Sequence, residues 1–196
     1  MATVGRASWR GYPGQMARAL VVVDVQEGFD DPMWGRRNNP GCEENIERLV
    51  AHWRATGEPI VYVRHDSRSP ASPLRPGAPG NKLRPFLGDE PDLLVTKSVN
   101  SAFYGEPDLN SWLQERDIGS VVICGVQTNY CCETTARMAG NLGYDTIFVL
   151  DATHTFDSKD LDGVTIPAEE LSRVTAANLD GEFAEVVDTV RLVGPI

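Results

Sequence analysis

The sequence predicts an α/β fold of three layers, α/β/α, built on a six-stranded parallel sheet in the Rossmann-like manner. Two observations carry this reading: short apolar runs that do not alternate with polar residues, and stretches of helical periodicity set between them. Strands buried on both faces read as continuous β-branched runs, and strands that alternate with helices imply right-handed crossovers within one parallel sheet. A chain of 196 residues, 41% hydrophobic and 23% charged, is long enough for one core and shows no bias toward disorder.

Residues 1–15 contain no continuous apolar stretch, so a flexible N-terminal tail is expected there rather than a secretory leader, with the domain over residues 16–196. Ala19 to Val25 is the first strand and carries Asp24 at its C-terminal end. From Glu43 to Thr56, Ile46, Leu49, Val50 and Trp53 fall on one helical face, and Gly57 stands where the helix stops. Pro59 to Val63 is the second strand. The proline-rich stretch Asp66 to Asp92 that follows is too long for a simple connection and is read as a lid or an interface element. Leu93 to Thr96 is the third strand, running into Lys97, and Leu109 to Glu115 the next helix. Val121 to Gly125 is the fourth strand, followed by a helix from Cys131 to Leu142 that Gly143 ends. Thr146 to Leu150, a helix over Pro167 to Asn178, and a last strand Phe183 to Val187 complete the order.

Charge and composition narrow the function. Acidic residues outnumber basic ones 28 to 18, for a net charge of -10, the wrong sign for a nucleic-acid partner. No apolar run approaches the ~20 residues of a membrane span. The cysteines, at positions 42, 124, 131 and 132, make neither a C-x-x-C pair nor a disulfide framework, which fits reduced thiols in the cytoplasm. The turn Asp24-Val-Gln-Glu-Gly-Phe29 is not a G-x-G-x-x-G fingerprint and no Walker-type run occurs, so no nucleotide cofactor is expected. A small-molecule substrate is the expected partner.

Ligands of open parallel sheets bind beyond the carboxyl ends of the strands, and Asp24, Lys97 and Cys131 all fall there. A cysteine in the first turn of a helix meets the positive end of the macrodipole and unpaired N–H groups, which lower its pKa, and a nearby lysine would stabilise the thiolate further. A carboxylate within reach could take the thiol proton and return it to a leaving amine. Each residue also has a plain alternative: a strand-end aspartate that caps a loop, and a lysine that is simply solvated.

Three segments together make the pattern specific: Val22-Val-Asp-Val-Gln-Glu-Gly-Phe29, Lys97-Ser-Val-Asn-Ser-Ala-Phe103 and Gly125-Val-Gln-Thr-Asn-Tyr-Cys-Cys-Glu-Thr-Thr-Ala136. In order, spacing and position at strand ends they resemble the signatures of the isochorismatase-like cysteine hydrolases, over Ala19 to the end of the chain. The resemblance implies Asp24 as general acid/base, Lys97 as support for the thiolate and the tetrahedral intermediate, and Cys131 as the nucleophile that forms a thioester. It also implies a cis peptide at Val126-Gln127 and an oxyanion hole from the N–H groups of Gln127 and Cys131. Cys132 is then core packing, and the assembly a homo-oligomer.

Members of that family that cleave isochorismate lack the nucleophilic cysteine, so Cys131 favours hydrolysis of a C–N bond in a small amide, carbamoyl or ureido compound. A vinyl ether hydrolase and a non-catalytic ligand-binding member of the same fold are the alternatives. Nicotinamidase-like members carry an Asp-x-His-x-x-His type cluster after the second strand, whereas this chain has Asp66-Ser-Arg-Ser-Pro70 and three histidines in all. A zinc site needs three or more protein ligands, and no catalytic metal is expected.

Around this centre, His65 is either a hydrogen-bonded strand-end residue or a substrate contact. Phe29, Trp34, Phe103, Tyr104 and Phe156 are candidates for apolar walls of the pocket, each also an ordinary core residue. Arg36, Arg37, Arg68 and Arg75 have the chemistry to hold a substrate carboxylate, although arginines balancing an acidic surface are the simpler account. His154, after the fifth strand, borders either the pocket or a subunit interface.

Overall fold

The computed structural model describes residues 17–88 and 90–195, so the tail expected at residues 1–15 lies outside the described residues. Six strands form one parallel sheet: β1 (Arg18–Val23), β2 (Ile60–His65), β3 (Leu93–Lys97), β4 (Ser120–Val126), β5 (Asp145–His154) and, after the short antiparallel pair β6 (Ser158–Lys159) and β7 (Thr165–Ile166), β8 (Glu185–Val187). Their spatial order is β3-β2-β1-β4-β5-β8 with every neighbouring pair parallel. The predicted six-stranded parallel sheet is therefore the one observed.

Helices cover both faces. On one side α1 (Cys42–Thr56) and α5 (Thr189–Val193) pack on Leu20, Val22, Tyr62, Val122 and Val149. On the other, α2 (Leu109–Gln114), α3 (Glu133–Asn141) and α4 (Ala168–Leu179) pack on Val21, Val23, Val63, Ile123 and Phe148. Successive strand residues alternate between the two clusters, which is why the valine runs of β1 and β4 carry no polar positions. Burial of each such side chain contributes about 1.5–3 kcal/mol, so the central strands anchor the fold. Among the described residues no helix is long and apolar enough to cross a membrane.

Several elements depart from the sequence reading. β5 continues to His154 rather than ending at Leu150, because after a register shift Thr153 and His154 still pair with Gly125 and Val126. The last strand is three residues long, and α5 and the β6–β7 pair are too short for any periodicity to announce. The helix expected from Cys131 begins earlier, with a widened turn over Thr128–Cys132 in which the Cys132 N–H reaches back five residues to Gln127 O at 3.1 Å. Such widened turns recur at functional sites.

The proline-rich loop is fastened to the strand ends. Gln26, wholly buried, donates from Nε2 to His65 O at 3.1 Å and Asn81 O at 2.9 Å, while its Oε1 accepts the His65 N–H at 2.8 Å. Asn81 Nδ2 in turn donates to Leu74 O at 2.9 Å, His65 O at 3.1 Å and Asp66 Oδ1 at 3.0 Å. Two buried carboxamides thus fix the end of β2, and His65 with it.

Candidate active site

The strand order reverses between β1 and β4, the place where open α/β sheets bind ligands. Asp24, just past β1, sits in the left-handed region at φ 52°, which interrupts strand alternation, and its N–H is held by Val63 O at 2.9 Å. His65 and Lys97 end β2 and β3 in direct register. Cys131 lies in the widened turn before α3. Four elements thus deliver four polar side chains to one point.

The Lys97 ammonium is the hub. Its three N–H donors have three acceptors, Asp24 Oδ2 at 2.6 Å, His65 Nδ1 at 3.2 Å and Cys131 Sγ at 3.3 Å. Burial works against the charge, but Asp24 and Cys131 outweigh it and raise the Lys97 pKa above the ordinary lysine value. Burial and then the Lys97 charge lower the pKa of His65, in keeping with a neutral ring whose Nδ1 accepts; that tautomer is inferred from the hydrogen bonds. The remaining Asp24 oxygen, Oδ1, is buried and has no hydrogen-bond partner among the described residues. An orphaned buried carboxylate oxygen is costly to the folded state.

Cys131 is 8% exposed, and its sulfur faces Asn100 Oδ1 at 3.8 Å as well as Lys97. The expectation of a lowered thiol pKa is corrected here. Burial, followed by the Asp24 carboxylate, pushes the thiol well above its usual range, and Lys97 only partly offsets them.

Ligand atoms of Asp24, His65 and Cys131 lie within 4.8 Å of one another, a spacing open to a metal ion. The Lys97 ammonium, however, already donates to all three, and a divalent cation there would stand against a buried positive charge. Asp66, in the segment that replaces the histidine cluster, spends its carboxylate on Arg64 at 2.8 and 3.0 Å and on Asn81 at 3.0 Å. These residues do not fit a metal.

The Val126-Gln127 peptide is cis. Gln127 N–H donates to no protein acceptor among the described residues, and Gln127 directly precedes the turn that carries Cys131. Beside it, Phe29, Trp34 and Phe156 cluster with ring centroids 5.1 to 6.2 Å apart, Phe156 stacked on the other two and Phe29 tilted against Trp34, and pack with Val126 as one aromatic wall. Trp34 Nε1 is satisfied by Gly28 O at 2.8 Å.

Phe103 is not part of that wall. It is buried in the core under α2 and α3 and stacks on Tyr144, which precedes β5 at the opposite end of the sheet. Tyr104, the next residue, is 69% exposed and turned to solvent. Helical and aromatic composition gave no means of telling these positions apart. Asn100 was missed, because nothing in its type singles it out; its one signal was its place three residues after Lys97. His154 is buried, edge-on to Phe156, with neither ring nitrogen hydrogen-bonded among the described residues.

Comparison with known proteins bears on this geometry. Residues 18–189 match the isochorismatase domain model. The isochorismatase family protein YrdC of Bacillus subtilis (strain 168) is 38% identical over 177 residues, covering 90% of this chain and 94% of the relative. Nicotinamidase 3 of Arabidopsis thaliana is 29% identical, covering 92% and 89%. A solved structure of an isochorismatase-family protein from Chromobacterium violaceum superposes with a TM-score of 0.86 at 36% identity, covering 92% of this chain and 93% of that one. The domain match over nearly the whole chain, together with relatives of this identity and coverage, places the protein in the isochorismatase family of hydrolases.

Proposed function

We propose that the protein is a thiol-dependent amidohydrolase that cleaves a C–N bond in a small amide, carbamoyl or ureido compound. The observation that carries this reading is the Lys97 ammonium held between Asp24 Oδ2 at 2.6 Å and Cys131 Sγ at 3.3 Å, with Asp24 Oδ1 unpartnered among the described residues. The similarity to nicotinamidase 3, an amidase by its name, supports the choice of bond.

In this mechanism Asp24 accepts the Cys131 proton and the thiolate attacks the carbonyl carbon. The N–H groups of Gln127 and Cys131 receive the oxygen that becomes negative, where preorganised donors are worth most. Asp24 then gives its proton to the departing nitrogen, the C–N bond breaks, and a thioester remains. A water molecule, deprotonated by Asp24, attacks the thioester; the acid leaves and the proton returns to sulfur. Lys97 stays protonated throughout and compensates whichever of carboxylate and thiolate is charged. Phe29, Trp34 and Phe156 exclude water on one side, and His65 fixes the ammonium.

The same reading places the protein in the reducing cytoplasm, supported by four buried cysteines without disulfides, and takes it to be a homo-oligomer, as the family resemblance implies. The test is ammonia release from a panel of small amides, carbamoyl and ureido compounds, run in parallel on wild type and Cys131→Ala. Turnover confined to wild type is the expected result; equal rates in the two proteins would remove Cys131 from the chemistry.

A further inference from the structure

β5 outruns its apolar stretch, and the residues gained there bring hydroxyls to the widened turn that carries Cys131. Thr153, near the end of β5, and Thr155, just past it, are both buried. Thr153 Oγ1 donates its proton to Leu150 O at 2.9 Å and so accepts from Thr128 Oγ1, also at 2.9 Å. A hydroxyl has one proton to donate. That of Thr155 goes to Asn129 Oδ1 at 2.5 Å, and Gln127 Oε1 lies 3.5 Å from the same hydroxyl oxygen. Thr128 and Asn129, consecutive residues of the turn, are thus each tied to a different threonine.

Both anchors are themselves fixed. Thr153 pairs with Gly125 in the sheet. The Thr155 N–H donates to Asn38 Oδ1 at 2.8 Å, and its carbonyl accepts the Asn38 N–H at 3.1 Å. Asn38 is buried and donates from Nδ2 to Ser172 Oγ of α4 at 2.9 Å. The turn is therefore referred to β5 and α4, elements that do not hold the nucleophile.

What the tied residues separate gives them their meaning. Thr128 and Asn129 stand between Gln127 and Cys131, whose N–H groups serve as oxyanion donors in the mechanism above; Tyr130, the third residue between them, is 47% exposed. Within the turn, the Tyr130 and Cys132 N–H groups both close on Gln127 O, at 3.2 and 3.1 Å. Those bonds fix the shape of the turn, whereas the bonds that leave it for Thr153 and Thr155 fix its tilt against the sheet. On the amidohydrolase reading, we propose that Thr153 and Thr155 are positioning residues for acyl transfer. Acting through Thr128 and Asn129, they aim the Gln127 and Cys131 N–H groups at the oxygen that becomes negative, without touching the substrate.

Two reagents that attack the same sulfur separate this role from general support of the fold. With p-nitrophenyl acetate the sulfur adds to the carbonyl, passes its proton to Asp24, forms the C–S bond and expels p-nitrophenolate, so an oxyanion develops on the way. With iodoacetamide the sulfur displaces iodide from a saturated carbon and no oxyanion forms. The first equivalent of p-nitrophenolate, above a Cys131→Ala blank, gives the acylation rate; mass on the peptide containing Cys131 gives the alkylation rate. Thr155→Val and Thr153→Val keep the shape and remove the hydroxyl. Each is expected to lower the ratio of acylation to alkylation by about 10- to 100-fold, the scale on which misplaced donors lose rate. The alkylation rate should hold, and Thr155→Ser should restore the ratio. Asn129→Ala removes the same bond from a half-buried position and repeats the test should Thr155→Val not fold. An unchanged ratio, equal loss of both rates, or a ratio as low in Thr155→Ser as in Thr155→Val would overturn the positioning role alone. Wild type alkylated at Cys131 but not acylated there would overturn the acyl-transfer reading, and this proposal with it.

Discussion

Lys97 Nζ meets Asp24 Oδ2 at 2.6 Å although β2 separates their strands, and neither side chain has any solvent exposure. Each charge was taken out of water at a cost that only the other repays, so removal of one partner strands the other. Lys97→Ala is therefore expected to lower the unfolding free energy by about 3–5 kcal/mol at neutral pH, measured by urea titration, as well as to stop hydrolysis. Lys97→Arg should rescue neither, because a planar fork cannot place three donors at one apex. A loss of stability under about 1 kcal/mol, the range of exposed pairs, would contradict the buried-pair account.

Asp24→Asn should separate reactivity of the sulfur from turnover. Burial first and the Asp24 carboxylate second hold the Cys131 thiol up, against Lys97. Loss of the negative charge with little change of shape leaves Lys97 facing the sulfur, so the midpoint of the iodoacetamide rate against pH should move down. Hydrolysis should nonetheless fall by about 10²-fold or more, because no group remains to carry the proton. Lys97→Gln should move the midpoint up. An upward shift in Asp24→Asn would mean that the carboxylate does not set the thiol's pKa.

The layers and the strand ends were legible because they rest on patterns local in sequence. The valines of β1 and β4 announce strands buried on both faces, and a parallel sheet must bring its carboxyl ends to one rim, where Asp24, Lys97 and Cys131 already stood. What was not legible depends on contacts across that rim. The pairing of His65 Nδ1 with Lys97, the approach of Asn100 to the sulfur and the burial of Phe103 against Tyr144 are set by loops whose paths no periodicity encodes. The thiol's direction of shift was misjudged for the same reason: position at the start of a helix is readable, whereas desolvation and a carboxylate brought from β1 are tertiary facts. β5 outran its apolar run because pairing with Gly125 and Val126 extends it through Thr153 and His154.

Gly125 is a position where the backbone alone decides. Its φ is +126°, and a Cβ there would overlap the Val23 carbonyl oxygen of the adjacent strand. Gly125→Ala must therefore either strain the residue or part β1 from β4 directly below the site, and should cost more than about 3 kcal/mol, the upper end for a strained backbone residue. Gly143→Ala is the matched control, since φ is +88° but no atom lies within 4 Å of the added carbon; it should cost only about 1–2 kcal/mol. Equal losses for the two in chemical denaturation would show that conformational strain, and not contact with Val23, sets the requirement.

His154 makes a prediction in pH. The ring is 1% exposed, lies edge-on to Phe156, and among the described residues has no hydrogen bond to either nitrogen; the Glu43 carboxylate is 3.9 Å away and is itself engaged by Arg37. Burial, then the charge of Arg37, lowers its pKa to about 3, with Arg84 acting in the same sense and Glu43 and Asp30 opposing. The unfolded chain binds a proton at this histidine below pH ~6.5, while the folded one stays neutral until about pH 3. Stability from His154 is thus fully present above the unfolded pKa and is lost as pH falls between those two values, at up to about 1.4 kcal/mol per pH unit. His154→Leu, which keeps the volume and removes two unsatisfied polar atoms, should flatten the fall in stability between pH 6.5 and 4.5, followed by urea unfolding at several pH values, and should leave stability at pH 7.5 equal or higher. If the variant and wild type lose stability in parallel over that range, His154 is not neutral in the folded protein and its protonation is satisfied by Glu43.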